Sequence, residues 1–383
     1  MCAIQVWSAL RRYSRSRFVE RHGRERRSRR RPAAGRESDV KQVGGIGEFE
    51  LIRLLTSDSV YDERTIVGVG DDCSVYEITK GNYILSTCDM LVEDVHFSRK
   101  WASGFFIGCK SIASSLSDIA AMGGKPLFAL TSIALPSATP VEFAQDVYIG
   151  IRSICRDYHV AVLGGDTVRS PDKVVIDIAM IGECPHGKYI LRSGAKAGDA
   201  IVVTGALGDS AAGLELLNGN ISECDTERRS HLVEAHLAPE PRSREGLFLA
   251  QHFELHSMID VSDGLAGDLR HICEMSGVGA RIWSDKIPLS QSLEQMCRAA
   301  AFDPLQFALS GGEDYELLFT LDPNELDRLR KQWYDEFDVP LSHIGEIDGA
   351  AGVIRLVSAD NQERPLTALS FDHFGPRHSK PGL

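Results

Sequence analysis

Acidic residues close apolar runs or flank glycines again and again along this chain. Asp71 and Asp72 lie in VGVGDDC, Asp89 in LSTCDML, Asp118 in SLSDIAAMGG, Asp166 in VLGGDT, and Asp260 and Asp263 in IDVSDG. GGEDYE adds Glu313, Asp314 and Glu316. Each has an ordinary reading alone: Asp263 as a helix cap, Asp118 as a satisfied buried acid, Asp166 or the Asp71–Asp72 pair as turn residues. Their recurrence at strand ends and beside glycine turns points instead to a shared metal-phosphate site. Oxygen-only ligands without clustered His or Cys select a hard cation. Mg2+ fits, because it keeps its waters and binds through a few carboxylates plus substrate phosphates. Gly68, Gly70, Gly164, Gly165, Gly311 and Gly312 are expected to let the main chain approach those phosphates closely. No G-x-x-x-x-G-K-[ST] cradle is present, since Gly123-Gly124-Lys125 runs into Pro126, and no kinase-type glycine loop is followed by H-R-D and D-F-G.

The elements that must hold these acids read as α+β. Residues 83–86 form a strand running into Asp89. Residues 105–122 have helical spacing at Ile107, Ile112, Leu116 and Ile119, and stop at Gly123-Gly124. A strand over 127–135, a Pro-started helix over 141–158, and apolar runs at 160–163 and 174–181 follow, the last two joined by a hairpin-like turn at 170–173. A second unit opens with AIVVTG at 200–205 and a helix over 209–217. The polar run 218–229 and LAPEPR separate these from a helix over 243–251, a strand over 258–261 and a helix over 265–275, with further strands near Ala280, Leu317 and His343. GEFELIRLL, near Gly45, predicts a short amphipathic helix. The domains expected are a disordered Arg-rich extension over 1–44, an N-terminal α+β domain over 45–183 and a C-terminal α+β domain over 190–375.

The 383 residues carry 43% hydrophobic and 25% charged side chains, with no apolar run long enough to span a membrane. The nine cysteines form no C-x-x-C pair, so a reducing cytoplasm fits better than a disulfide framework or a zinc site. Residues 1–36 hold twelve Arg against only Glu20 and Glu25, so the remaining chain is more acidic than the net charge of −12 suggests. An acidic body argues against nucleic acid as main partner and accepts phosphate substrates only through cations.

GEFELI, GVGDDC, CDMLVEDVHF, SLSDIAAMGGKP, GGDT, LRSGAKAGD, VTGALGDSAAGL, HLAPEPR, DVSDGLAGDL, LSGGEDYEL and FDHF, in this order over about 45–374, resemble the thiamine-monophosphate kinase family. The resemblance implies a two-domain α+β fold like that of aminoimidazole ribonucleotide synthetase, a homodimer, and phosphorylation of thiamine monophosphate to thiamine diphosphate by ATP with several Mg2+ ions. By position it implies metal ligands at Asp72, Thr87, Asp89, Asp118, Asp166, Asp260 and Asp263, with Cys88 contributing at most its backbone. ATP would meet Tyr148, Gly165, Asp166, Arg192 and Ser262, and the thiamine phosphate would meet His96, Glu313 and Phe371. Two departures stand out: Cys88 replaces a hydroxyl residue common in relatives, and Phe371 replaces a Tyr found in some.

An acceptor phosphate monoester has its second pKa near ~6, so it is largely ionised at neutral pH and needs little general-base help. No Ser, His or Asp shows a nucleophile-and-base pairing, so the expectation is direct in-line transfer without a phospho-enzyme, with Mg2+ and Arg192 neutralising charge. One competing reading is a related ATP-dependent enzyme using another acceptor, such as an aminoimidazole ribonucleotide synthetase. Another is a Mg-ATP-sensing nucleic-acid-binding protein using the Arg-rich arm.

Overall fold

The structure is a computed structural model that describes residues 54–58, 65–67, 75–76, 82–221 and 224–366. Residues 1–44, Asp71, Asp72, the glycines at 68 and 70, and Phe371 lie outside the described residues, as does the helix expected near Gly45 except for its last two residues, 54 and 55, which are helical.

Two short strands, β1 (Thr65–Val67) and β2 (Val75–Tyr76), pair antiparallel. They precede β3 (Asn82–Val92), β4 (Lys125–Pro136), β5 (Ala161–Ser170) and β6 (Val175–Pro185), which form a four-stranded sheet in the order β3-β6-β4-β5. The hairpin expected at 170–173 is not there: β6 pairs antiparallel with β3 and β4, while β5 lies parallel to β4 at the edge. The reason is burial. The run Val175–Ile181 alternates fully buried Ile176, Ile178 and Met180 with half-buried residues, and a strand so apolar gains most at the centre of the sheet. The chain therefore steps over β4 instead of folding straight back.

One face of this sheet is covered by α1 (Gly104–Ala121) and α2 (Val141–Asp157). The two helices approach backbone to backbone at reciprocal glycines: a Cβ on Gly108 would lie 2.0 Å from the Val147 carbonyl, and one on Gly150 2.0 Å from that of Phe105. The opposite face is open and partly apolar, with Met90 57% and Val168 51% exposed.

The second sheet has seven strands. In chain order they are β7 (Ala200–Thr204), β8 (Ser257–Asp260), β9 (Gly279–Trp283), β10 (Leu317–Leu321), β11 (Leu341–Asp348), β12 (Ile354–Val357) and β13 (Glu363–Pro365), arranged β13-β12-β9-β11-β7-β10-β8. Every residue of β7, β8 and β10 is buried. Alternate residues feed two cores: Ile201 and Val203 pack with Leu265 and Leu269 of α6 (Leu265–Ser276), whereas Val202 and Phe319 pack with Leu249, Trp333 and the Ala120–Ala121 end of α1. Helix α1 thus belongs to both halves.

The polar segment after α3 (Asp209–Leu217) was expected to be a separator, but it gives way to a helix, α4 (Thr226–Leu237). Its N-terminus is capped by Asp225, whose side chain accepts from the amides of Glu227 and Arg228. The helix α5 (Ser243–His252) follows. Among the described residues no helix is long and apolar enough to cross a membrane.

Candidate active site

Strand alternation sends Thr87 and Asp89 of β3 toward α1 and Cys88 to the open face, where its thiol donates to Asp177 at 3.2 Å. That hydrogen bond raises the thiol pKa, with burial and the charges of Asp177 and Asp89 adding to it. On α1 the next turns supply matching hydroxyls. Ser115 donates to Asp89 Oδ2 at 2.8 Å, and Ser117 donates to Asp260 Oδ2, at the end of β8, also at 2.8 Å. Thr87 donates its hydroxyl to Asp118.

These contacts gather Asp89, Asp118 and Asp260 from a strand of one sheet, the shared helix and a strand of the other sheet. Burial, with the Asp118 charge second, pushes Asp89 up to about 6 and Asp260 up to about 7. Asp118 is also raised, by burial, against the pull of the Thr87 hydrogen bond and of Arg192. Arg192 is positioned by the segment that bridges the end of α1 to β8: Ile190 N donates to Met122 O at 3.2 Å, and Met258 N to Leu191 O at 2.9 Å. Among the described residues it is the cation whose charge acts on Asp118 and Asp260.

Behind the cluster, two loops are laced together. Glu313 N donates to Ser262 O at 2.8 Å and Tyr315 N to Val261 O at 2.9 Å, and a Cβ on Gly312 would lie 2.2 Å from Ser262 O. Gly312 therefore serves close approach to main chain. The 262–263 turn is held by Asp268 of α6, whose carboxylate accepts from the amides of Ser262 and Asp263 at 3.1 Å. Burial, then the charges of Asp260 and Asp263, lift Asp268 to about 8. Glu313 (φ 66°) and Tyr315 (φ 53°) occupy the left-handed region, where a side chain is strained. Tyr315 is buried beside Glu313, Asp89, Asp260 and Asp118, and burial first, then those charges, raises its hydroxyl pKa.

His96 and Glu313 are drawn to a second cluster. Lys110 of α1, 2% exposed, donates to the His96 carbonyl at 3.1 Å and to Glu313 Oε2 at 2.7 Å, and lies 3.3 Å from Nε2 of the buried His236 on α4. His96 itself accepts the Val92 amide on Nδ1 at 3.0 Å. Lys110, His236, Asp268 and Tyr315 are absent from the residues singled out in the sequence.

Three other expected residues lie elsewhere. Asp166 is paired through Ser132 and Asp177 to Met90, so it lies on the open face at the far edge of the four-stranded sheet, not with Asp89. Beside it, Gly165 packs on β4, where a Cβ would lie 1.7 Å from Thr131 O. Tyr148 is 5% exposed within α2. Among the described residues no three His, Cys, Asp or Glu side chains converge into a ready-made metal cage. The trio of Asp89, Asp118 and Asp260 is nonetheless an oxygen-only donor set whose mutual repulsion a hard divalent cation would relieve.

Residues 70–184 match the family described as AIR synthase related protein, N-terminal domain, and residues 196–357 match the corresponding C-terminal domain. Thiamine-monophosphate kinase from Bacillus subtilis is 36% identical over 331 residues, covering 85% of this chain and 99% of that protein. The Escherichia coli K12 enzyme of the same name is 37% identical, covering 78% and 87%. Among solved structures, thiamine-monophosphate kinase from Stenotrophomonas maltophilia superposes with a TM-score of 0.72 at 31% identity, covering 82% of this chain and 96% of that one. AaThiL complexed with AMPPCP and TMP superposes at 0.67 and 32% identity, covering 88% and 100%. The hydrogenase maturation protein HypE shares the fold, at 0.67 and 20% identity.

Proposed function

This chain belongs to the thiamine-monophosphate kinase family, and from that premise we propose how its own residues carry out phosphoryl transfer. The enzyme phosphorylates thiamine monophosphate to thiamine diphosphate with ATP as donor. The observation that carries the mechanism is the meeting of Asp89, Asp118 and Asp260 under Arg192, at the junction of the two sheets.

We assign the cation as Mg2+, held by these acids together with Thr87, Asp263 and Asp72. When bound, it supplies positive charge to phosphate oxygens. Cys88 adds at most its carbonyl, because its thiol faces the other side of the sheet. Arg192, beside the same carboxylates, is the fixed charge on the transferring group, with Ser262 at the nucleotide end; Gly165, Asp166 and Tyr148 are proposed nucleotide contacts made from the open face and from α2, outside the trio. Lacing of the 262–263 turn to the Glu313 loop keeps nucleotide and acceptor ends in register, and positioning is the main service this reaction asks for. Glu313, His96 and Phe371 take the acceptor end, where a carboxylate and an aromatic ring suit the permanently cationic thiazolium. The acceptor phosphate attacks in line as its ionised form, so no side chain need remove a proton.

We further place the division between domains at 183–190, the enzyme in the cytoplasm, and the working unit as a homodimer. The half-apolar open sheet face with Met90 and Val168 is the surface such a dimer would cover. Incubation with ATP, Mg2+ and thiamine monophosphate should give thiamine diphosphate and ADP, and excess chelator should abolish the conversion. Full turnover in chelator would overturn the metal assignment. Turnover only with a different phosphorylated acceptor would overturn the substrate.

A further inference from the structure

Lys110 is a buried ammonium with three acceptors, each on a different segment: the His96 carbonyl at 3.1 Å, Glu313 Oε2 at 2.7 Å and His236 Nε2 at 3.3 Å. An ammonium has three N–H groups, so the set is filled. For Lys110 to donate to Nε2, the imidazole must carry its proton on Nδ1, which then donates to Ser210 Oγ at 3.1 Å. Burial and the neighbouring Lys110 charge hold His236 well below the ordinary range, consistent with that neutral form. Trp101 packs edge-on to the imidazole with ring centroids 5.6 Å apart, limiting its rotation.

Glu313 needs such an anchor. Its backbone is in the left-handed region and its side chain is 26% exposed, so without a partner the carboxylate would be free to swing. The same Lys110 fixes the turn bearing His96, so one side chain sets the relative placement of both residues assigned above to the acceptor.

We infer that Lys110, steered by neutral His236, is a positioning residue for the thiamine end of the acceptor, fixing Glu313 and the His96 turn as one unit. The inference rests on Glu313 and His96 lying at the acceptor. It goes beyond that reading by assigning acceptor selection to a residue buried behind them.

The test is a double-mutant cycle on the full chain, with Lys110→Met, Glu313→Gln and the pair. KM for each substrate and kcat are measured alongside thermal denaturation. Lys110→Met should raise KM for thiamine monophosphate roughly tenfold or more while KM for ATP stays within about twofold. The double variant should fall well short of the product of the two single effects, because Lys110 acts in large part through that carboxylate and otherwise only through the His96 turn. Multiplying effects, or equal losses for both substrates, would overturn the inference. If Glu313→Gln leaves the acceptor KM unchanged, the acceptor assignment itself falls and this inference with it. If Glu313→Gln raises it and Lys110→Met does not, only the positioning role is lost. Should Lys110→Met fail to fold, His236→Leu reads the same network: a rise of about threefold or more in acceptor KM alone supports it, and no change overturns it.

Discussion

Asp118→Asn lowers kcat by about a thousandfold, the loss expected when a charge-stabilising group is removed from a phosphoryl-transfer site, while leaving the protein folded and no less stable. The two halves of that expectation have one cause. Asp89, Asp118 and Asp260 are buried together, and like charges in a poorly solvated place make the ionised forms costly. The amide keeps much of the shape and removes one charge. The pH dependence follows with a definite sign. Free aspartate titrates near ~3.9, whereas Asp89 and Asp260 are raised to about 6 and about 7, so the folded state binds more protons than the unfolded one between these values. Their contribution to stability is complete below about pH 4 and is lost as pH rises through about 6 and about 7. Without added divalent cation, melting temperature should therefore fall from pH 5 to pH 8, and the fall should be shallower in Asp118→Asn. Normal kcat in a folded Asp118→Asn would make the trio structural. A melting temperature rising over that range would contradict the repulsion.

Gly165→Ala should cost about 3 kcal/mol of stability, a drop of roughly 5–10 °C in melting temperature, together with a rise in KM for ATP. The added Cβ would lie 1.7 Å from Thr131 O, 2.4 Å from Thr131 C and 2.8 Å from its N, all main-chain atoms that no rotamer change can move aside. Strand β5 must then part from β4 at the segment that carries Asp166, the neighbouring residue proposed for the nucleotide. Gly349→Ala is the control, because nothing lies within 4 Å of its Cβ position. A melting temperature for Gly165→Ala matching that control would show that the sheet opens there without cost.

The acids were legible because chemistry writes them locally: Asp89 ends an apolar run, Asp260 and Asp263 bracket a strand end, and Asp118 precedes a glycine stop. The helices with strong apolar spacing, 104–121 and 141–157, were legible for the same reason. What escaped was set by tertiary contact. Lys110 is an unremarkable lysine within GCKSIASS until α4 is laid against it, and the start of α4 is hidden in the polar run 218–229, since TERRSHLVEAHL buries only Leu232, His236 and Leu237. Asp268 shows its purpose only when the 262–263 turn curls onto the first turn of its own helix. The path of β6 past β5 was hidden because its apolar run marks a central strand without naming the neighbours it pairs with.

Helix α1 gives Ser115 to Asp89, 26 residues away, and Ser117 to Asp260, 143 residues away. In kinetic terms the first contact is short-range and the second must wait for closure of a very long loop. Asp260 is therefore expected to join Asp89 and Asp118 only when the second sheet docks on α1. Refolding should restore helical signal before it restores catalysis, and on the way out of the native state the carboxylate junction should open before either core melts.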